Sequence, residues 1–195
     1  MNKIIKAIQL ANLAHKGQYR KYGDVPYITH PARVSAYVGM YCWNIAEVDK
    51  DLYNDMQCVA WLHDTLEDSK IVTYTSLVED FGTRVACGIS SLTNVYTKEA
   101  YPSLSRFERK KHELDRLSTL PSVWRIIKML DRYDNVLDLP KKSDFTVIYF
   151  EESKKLLKQF ELLFNMYKTD VEGAIIKSYQ EVYNLLKEEL YRESN

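Results

Sequence analysis

The chain has 195 residues, 27 of them basic and 27 acidic, a length that holds one compact domain with a core and a site but no added regulatory module of any size. The neutral balance supplies no net field to draw nucleic acid or an anionic membrane, although a local basic patch can still take phosphate. Cys42, Cys58 and Cys87 are odd in number and form no C-x-x-C pair, which argues against a disulfide framework and a thiolate zinc site and for a reducing compartment.

The N-terminus, Met1-Asn2-Lys3-Ile4-Ile5-Lys6, lacks the apolar run of an export signal, and no window reaches membrane-spanning length, so a cytoplasmic protein is expected. Only six glycines and five prolines interrupt the chain, and the segments between them repeat apolar residues at helical spacing. The expected fold class is all-α, a single domain over 1–195. A first helix is predicted from Lys3 to about Lys16, with Ile4, Ile8 and Ala11 on one stripe and Gly17 as its stop. Gln18 to Thr29 reads as a loop or short hairpin. Pro31 fits the first turn of a second helix that carries Val34, Val38 and Tyr41 inward, so His30 falls at that helix's N-terminal edge. A third helix, capped by Asp49 or Asp51, aligns Leu52, Met56, Val59 and His63 on its buried stripe.

Short helices are predicted at Ser76–Phe81 and Gly82–Leu92, followed by a polar loop, Thr93–Ser103. Ser105-x-x-Glu108 is a capping box for a helix to about Ser118. Pro121 opens a helix over Val123–Leu139 in which Val123, Ile127, Asp131 and Asn135 share a face, so Asp131 points where the apolar residues point. After Pro140, two long amphipathic helices are expected over about Ser143–Tyr167 and Thr169–Arg192, the second begun by a box at Thr169-x-x-Glu172.

The densest chemistry is in Val59-Ala60-Trp61-Leu62-His63-Asp64-Thr65-Leu66-Glu67-Asp68, where one imidazole and three carboxylates fall within six residues. Burying so many ionisable groups is costly unless a metal or polar ligand compensates them. On a continuous helix, residues turn by about 100° each, so Glu67 stands over His63 and Asp68 over Asp64. Imidazole nitrogen with carboxylate oxygen suits a divalent ion such as Mn, Fe, Co or Zn, whereas oxygen alone suits Mg or Ca. His30 and Asp131, each inward on its own helix, are the best candidates to complete a set with His63 and Asp64. Such a set leaves coordination positions for water and a substrate oxygen, and Glu67 and Asp68 would act on that water. The bland alternatives are a hydrogen-bonded core histidine, an Asp131 paired with Arg132 or Lys128, a solvated helix end at Glu67 and Asp68, and surface charge at Arg20 and Lys21. His15 and His112 are read as structural.

The order of motifs adds a resemblance. His15-Lys16-Gly17-Gln18-Tyr19-Arg20-Lys21-Tyr22-Gly23, Pro26-Tyr27-Ile28-Thr29-His30-Pro31, Leu62-His63-Asp64-Thr65-Leu66-Glu67-Asp68, Phe81-Gly82 and Lys128-Met129-Leu130-Asp131-Arg132-Tyr133-Asp134-Asn135 together resemble the hydrolase domain of the Rel/Spo family. Within it they are most similar to the stand-alone small alarmone hydrolases of the HD-domain group. The resemblance covers residues 3 to 140. It implies an HD-type helical bundle with one Mn2+ held by His30, His63, Asp64 and Asp131. It also implies a nucleotide substrate, guanosine tetra- or pentaphosphate, cleaved to GDP or GTP and pyrophosphate. Glu67 and Asp68 match the family's acidic pair, Arg20 and Lys21 its Arg-Lys pair near the base, and Asn135 a nucleotide-contacting Asn. Lys128 is expected to offset phosphate charge and Tyr149 to lie beside the base. Three positions depart from the pattern: Leu130 replaces a small residue, Asp134 a His or Tyr, and Leu137 an Arg. These departures leave open (p)ppApp or NADPH as substrate, and a nucleotide-sensing module without turnover stands as the alternative from another class.

Overall fold

The computed structural model describes residues 2–141, 143–166 and 173–192. Among them are eleven helices and one short pairing, Tyr19 with Pro26, antiparallel. The expected all-helical fold is what the chain adopts, and the expected hairpin is that pairing, closed by Arg20 N–H to Val25 O and Tyr27 N–H to Gln18 O.

The local reasons are legible in the chain. Helix α1 (Lys3–Ala14) starts where the Asn2 side chain accepts the Ile4 N–H, a cap for an otherwise unpaired donor. Its buried stripe is Ala7, Ala11 and Ala14, and Ile4 lies only partly buried beside it. Small residues let α1 lie close on α4. Helix α2 (Thr29–Tyr41) holds Pro31 in its first turn and buries His30, Val34 and Val38, while Tyr41 is only half-buried. A short α3 (Trp43–Val48), not expected from the sequence, buries Ile45 before Asp49 caps α4 (Lys50–Leu62) through the Leu52 N–H.

The expected continuous helix through His63 to Asp68 is broken. Helix α4 ends at Leu62, and a single turn, α5 (Thr65–Asp68), follows. Side chains take over the last carbonyls of α4: the Thr65 hydroxyl donates to Leu62 O at 2.7 Å, and His63 Nδ1 donates to Ala60 O at 2.9 Å. Local side-chain hydrogen bonds of this kind compete with the helical ladder. The correction matters because the four ionisable residues do not lie on one helical face.

Helix α6 (Tyr74–Phe81) begins at a Thr73/Ser76 capping box and α7 (Thr83–Leu92) follows through Gly82, whose φ of +86° is open to glycine without strain. The Ser105/Glu108 capping box is formed at the head of α8 (Arg106–Leu117). Helix α9 (Ser122–Leu137) follows Pro121 and buries Ile126, Ile127, Met129, Leu130, Asp131 and Asp134. Helices α10 (Asp144–Met166) and α11 (Gly173–Tyr191) complete the chain; the expected box at Thr169 and Glu172 lies outside the described residues. Helix α9 is the axis of the bundle, packed against α2, α4, α7, α10 and α11. It therefore carries Asp131 into the centre. No helix among the described residues is long and apolar enough to cross a membrane.

Candidate metal centre

Four side chains meet where the head of α2, the break between α4 and α5, and the middle of α9 converge. His30 Nε2 lies 3.2 Å from His63 Nε2 and 3.2 Å from Asp131 Oδ1. Asp64 Oδ2 lies 3.1 Å from His63 Nε2 and 3.5 Å from His30 Nε2. His30, His63 and Asp131 form the tight grouping, with ligand atoms within 4.8 Å of one another. Asp64 joins it from the side, its Oδ2 also accepting the Tyr27 hydroxyl at 2.7 Å.

The tautomers follow from the partners. His63 Nδ1 faces the Ala60 carbonyl and His30 Nδ1 faces the Asp134 carboxylate at 2.6 Å, both acceptors, so each Nδ1 carries a proton. Two neutral imidazoles would then turn Nε2 lone pairs at one another inside the protein, an arrangement that requires a cation or an added proton between them. Bonds of about 2.1 Å at right angles separate two ligand atoms by roughly 3 Å, close to the distances found. The donor set therefore fits a divalent transition ion.

The charges around the two imidazoles favour their protonated forms. Burial works to lower the pKa of His63, but the charges and hydrogen bonds of Asp64 and Asp131 outweigh it and hold the imidazole well above its ordinary value. His30 is raised in the same way, its hydrogen bonds to Asp131 and Asp134 overcoming burial. Burial works to raise Asp131, but Lys128, His30 and His63 hold it well below the usual carboxylate range, and Asp64 is lowered by its histidine neighbours against burial.

A cavity of about 780 Å3 opens from this cluster, bounded by Tyr27, Asp64, Glu67 and Asn94 on one side and by residues of α8, α9 and α10 on the other. Glu67, Lys128, Asn135 and Tyr149 line it, as does Asp131. The Glu67 carboxyl is raised by burial, in part offset by the Asn94 N–H that its Oε1 accepts at 2.5 Å. Lys128 Nζ reaches Asp131 Oδ2 at 2.8 Å, so the alternative ion pair and the convergent cluster coexist. Asn135 Nδ2 donates to Asp131 Oδ1 at 2.6 Å.

The other expected contacts lie elsewhere. Asp68 and Lys21 are not among the cavity's lining residues; Lys21 Nζ sits over the Phe145 ring at 4.2 Å. Arg20 is not surface charge, since its Nε donates to Asp138 Oδ2 at 2.8 Å and its Nη2 to Asn135 Oδ1 at 2.9 Å. His15 is buried, with Nδ1 2.7 Å from Gln18 Oε1, and the His112 ring stacks on Tyr96.

Sequence reasoning gave no part to Tyr27 or to the basic wall of Arg106, Lys110, Lys111, Arg132 and Lys155. The pKa of Lys110 is lowered by burial and by the positive charge of Arg132, Arg106 and Lys128, against the opposing Glu152; Glu113, Glu151 and Glu152 line the same cavity, and Glu152 pairs with Arg106 at 2.9 Å. The available signals were the i, i+4 spacing of Arg106 and Lys110 and the place of Tyr27 three residues before His30.

No family model matches the chain. Over 144 residues, 72% of its length, it is 31% identical to a GTP pyrophosphokinase of Myxococcus xanthus, of which the match spans 18%. It is 28% identical over 144 residues, 70% of its length, to the guanosine-3′,5′-bis(diphosphate) 3′-pyrophosphohydrolase of Borreliella burgdorferi, of which 19% is spanned. The chain thus covers under a fifth of these relatives. A solved structure described as a metazoan ortholog of SpoT that hydrolyzes ppGpp and plays a role in starvation responses superposes with a TM-score of 0.63 at 21% identity, covering 94% of this chain and 95% of that one.

Proposed function

From a chain that is a Rel/Spo relative by sequence and has the helical HD fold of the metazoan SpoT ortholog, we propose a Mn2+-dependent hydrolase that removes the 3′-diphosphate of guanosine tetra- or pentaphosphate. The products are GDP or GTP and pyrophosphate. The observation that carries this reading is the meeting of His30 Nε2, His63 Nε2, Asp131 and Asp64 beside a cavity whose lining includes Lys110, Lys128 and Arg132.

His30, His63, Asp64 and Asp131 would hold the ion. When bound there, it supplies Lewis acidity, polarising a phosphoryl oxygen and making a water more acidic. Glu67, whose burial raises its proton affinity, accepts the proton of the attacking water and is free to return it to the leaving ribose oxygen. Asp68, its carboxyl raised by burial and by the Asp64 charge, follows Glu67 outside the cavity lining. Lys128 balances negative charge beside Asp131. Lys110 and Arg132 suit the remaining phosphates, while Arg106 is paired with Glu152 at 2.9 Å, and cations so placed favour a polyanion over a neutral sugar. The Tyr149 ring, with the Arg132 guanidinium 4.4 Å from its centroid, offers a face for the base, and Asn135 offers an amide at its edge. Arg20 and Lys21 support that end of the site from the hairpin.

The test is product analysis of chelator-stripped protein given ppGpp, ppApp or NADPH, with and without Mn2+. The reading requires Mn2+-dependent GDP and pyrophosphate. Orthophosphate as the product, or no turnover of ppGpp with Mn2+ present, overturns it.

A further inference from the structure

Asp134 is one of the positions where the chain departs from the family pattern, and its surroundings give that departure a use. Its side chain is 0% exposed, and it is not among the residues that line the cavity. Oδ2 accepts the Nδ1 proton of His30 at 2.6 Å and an Nη2 proton of Arg33 at 2.9 Å. Oδ1 accepts from Arg33 Nε at 2.6 Å. Arg20 Nη2 stands 3.9 Å from Oδ2, and Asp138 Oδ2 joins the two arginines, 2.8 Å from Arg20 Nε and 2.8 Å from Arg33 Nη2. The carboxylate thus lies outside the cavity lining and its charge is met by two guanidiniums.

We propose that Asp134 is a positioning residue for the metal: it fixes Nδ1 of His30 as the donor and so keeps the Nε2 lone pair directed at the ion. Arg33 and Arg20 share the counter-charge for a carboxylate at this depth, so removal of Arg33 alone leaves Arg20 and the His30 proton to hold it. The physical basis is general, since a metal-ligating imidazole is oriented by the group that its other nitrogen donates to, and loss of that group weakens metal affinity or activity by about 10- to 100-fold. The inference rests on the metal reading above and adds a residue to it.

A purely structural role is the competitor, because the Arg33–Asp134 pair also ties α2 to α9. The two roles are separated by titrating chelator-stripped protein with Mn2+ by calorimetry, with folding verified by circular dichroism, for four proteins: parent, Asp134→Asn, Arg33→Gln and His30→Ala. Positioning predicts that Asp134→Asn binds Mn2+ about 10- to 100-fold more weakly, whereas Arg33→Gln, which keeps the carboxylate on His30, stays within about threefold of the parent. Parent-like binding by Asp134→Asn overturns the proposal, and so does equal weakening in Asp134→Asn and Arg33→Gln, the signature of a tether. His30→Ala is the control on the underlying reading: parent-like Mn2+ binding there removes the metal site itself. If Asp134→Asn does not fold, Asp134→Ala, which removes the acceptor for the His30 Nδ1 proton, is titrated in its place with the same outcomes.

Discussion

Tyr27 donates its hydroxyl to Asp64 Oδ2 at 2.7 Å, so a residue of the hairpin orients a carboxylate at the α4–α5 break. Burial and the Asp64 charge push the phenol well above its ordinary pKa, which keeps it a donor throughout the working range. Tyr27→Phe removes that donor and leaves the ring packed. The expected result is a folded protein with Mn2+ affinity about tenfold weaker, read by the Mn2+ concentration for half-maximal activity. An unchanged half-saturation would show that Asp64 is held by its other neighbours.

Glu67→Gln is expected to keep Mn2+ bound and to lose about 10^2- to 10^4-fold in kcat. The pH dependence has a definite sign. A base must be deprotonated to act, and burial raises the Glu67 carboxyl, so kcat/KM of the parent falls as pH drops through that raised value. The fall should begin at a higher pH than an ordinary glutamate would give. In Glu67→Gln that acid limb should be missing from whatever rate remains.

Metal-free protein should lose stability as pH rises. His30 and His63 are raised in the folded state above the ordinary 6.5, so their contribution is fully present below the unfolded value and fades as pH climbs through the folded ones. Asp64 and Asp131 are lowered, and their contribution fades only in acid, below the ordinary 3.8. Added Mn2+ needs neutral imidazoles, so its effect on Tm should grow from about pH 6.5 upward. Thermal melts with chelator and with Mn2+ across pH check this; a pH-independent metal effect would contradict it.

Much of this was visible in the chain. Asp49 and Ser105 act as the expected caps, Asn2 adds one that was not expected, and the spacing of Val123, Ile127 and Asp131 places Asp131 inward on α9. What periodicity could not show is the break after Leu62. It is made by the hydroxyl of Thr65 and the ring of His63, groups that periodicity counts only as residues on a face. Arg20 looked like surface charge or a base contact because its partners Asn135 and Asp138 lie 115 and 118 residues away. Asp134 looked like unwelcome charge because Arg33, which balances it, lies 101 residues earlier.

Gly88 is where α7 meets α4 and α9. A Cβ there would stand 2.9 Å from Val59 Cγ2 and 3.1 Å from Trp124 Cζ2. Gly88→Ala gains about 1 kcal/mol of helix propensity but overpacks buried neighbours at about 1–3 kcal/mol. A net loss of about 1 kcal/mol and a Tm lower by about 2–4 °C are expected. A higher Tm would mean that the Trp124 ring yields freely.

Lys110→Ala should raise KM for ppGpp by about 10- to 100-fold, the value of one hydrogen bond to a charged group, with a smaller change in kcat. The loss should shrink at high salt, where the wall of α8 and α9 is screened. Steady-state kinetics at two ionic strengths measure both. A salt-independent KM would assign Lys110 to packing.

The hydrogen bond from Asn94 N–H to Glu67 ties the acidity of that carboxyl to the connection between α7 and α8. The same N–H holds the Glu67 pKa down against burial, and Asn94 is itself part of the cavity wall. Without that N–H, burial would act on the carboxyl unopposed by it, and the proton would be held more tightly. The backbone of the cavity wall thus helps set the readiness of its base.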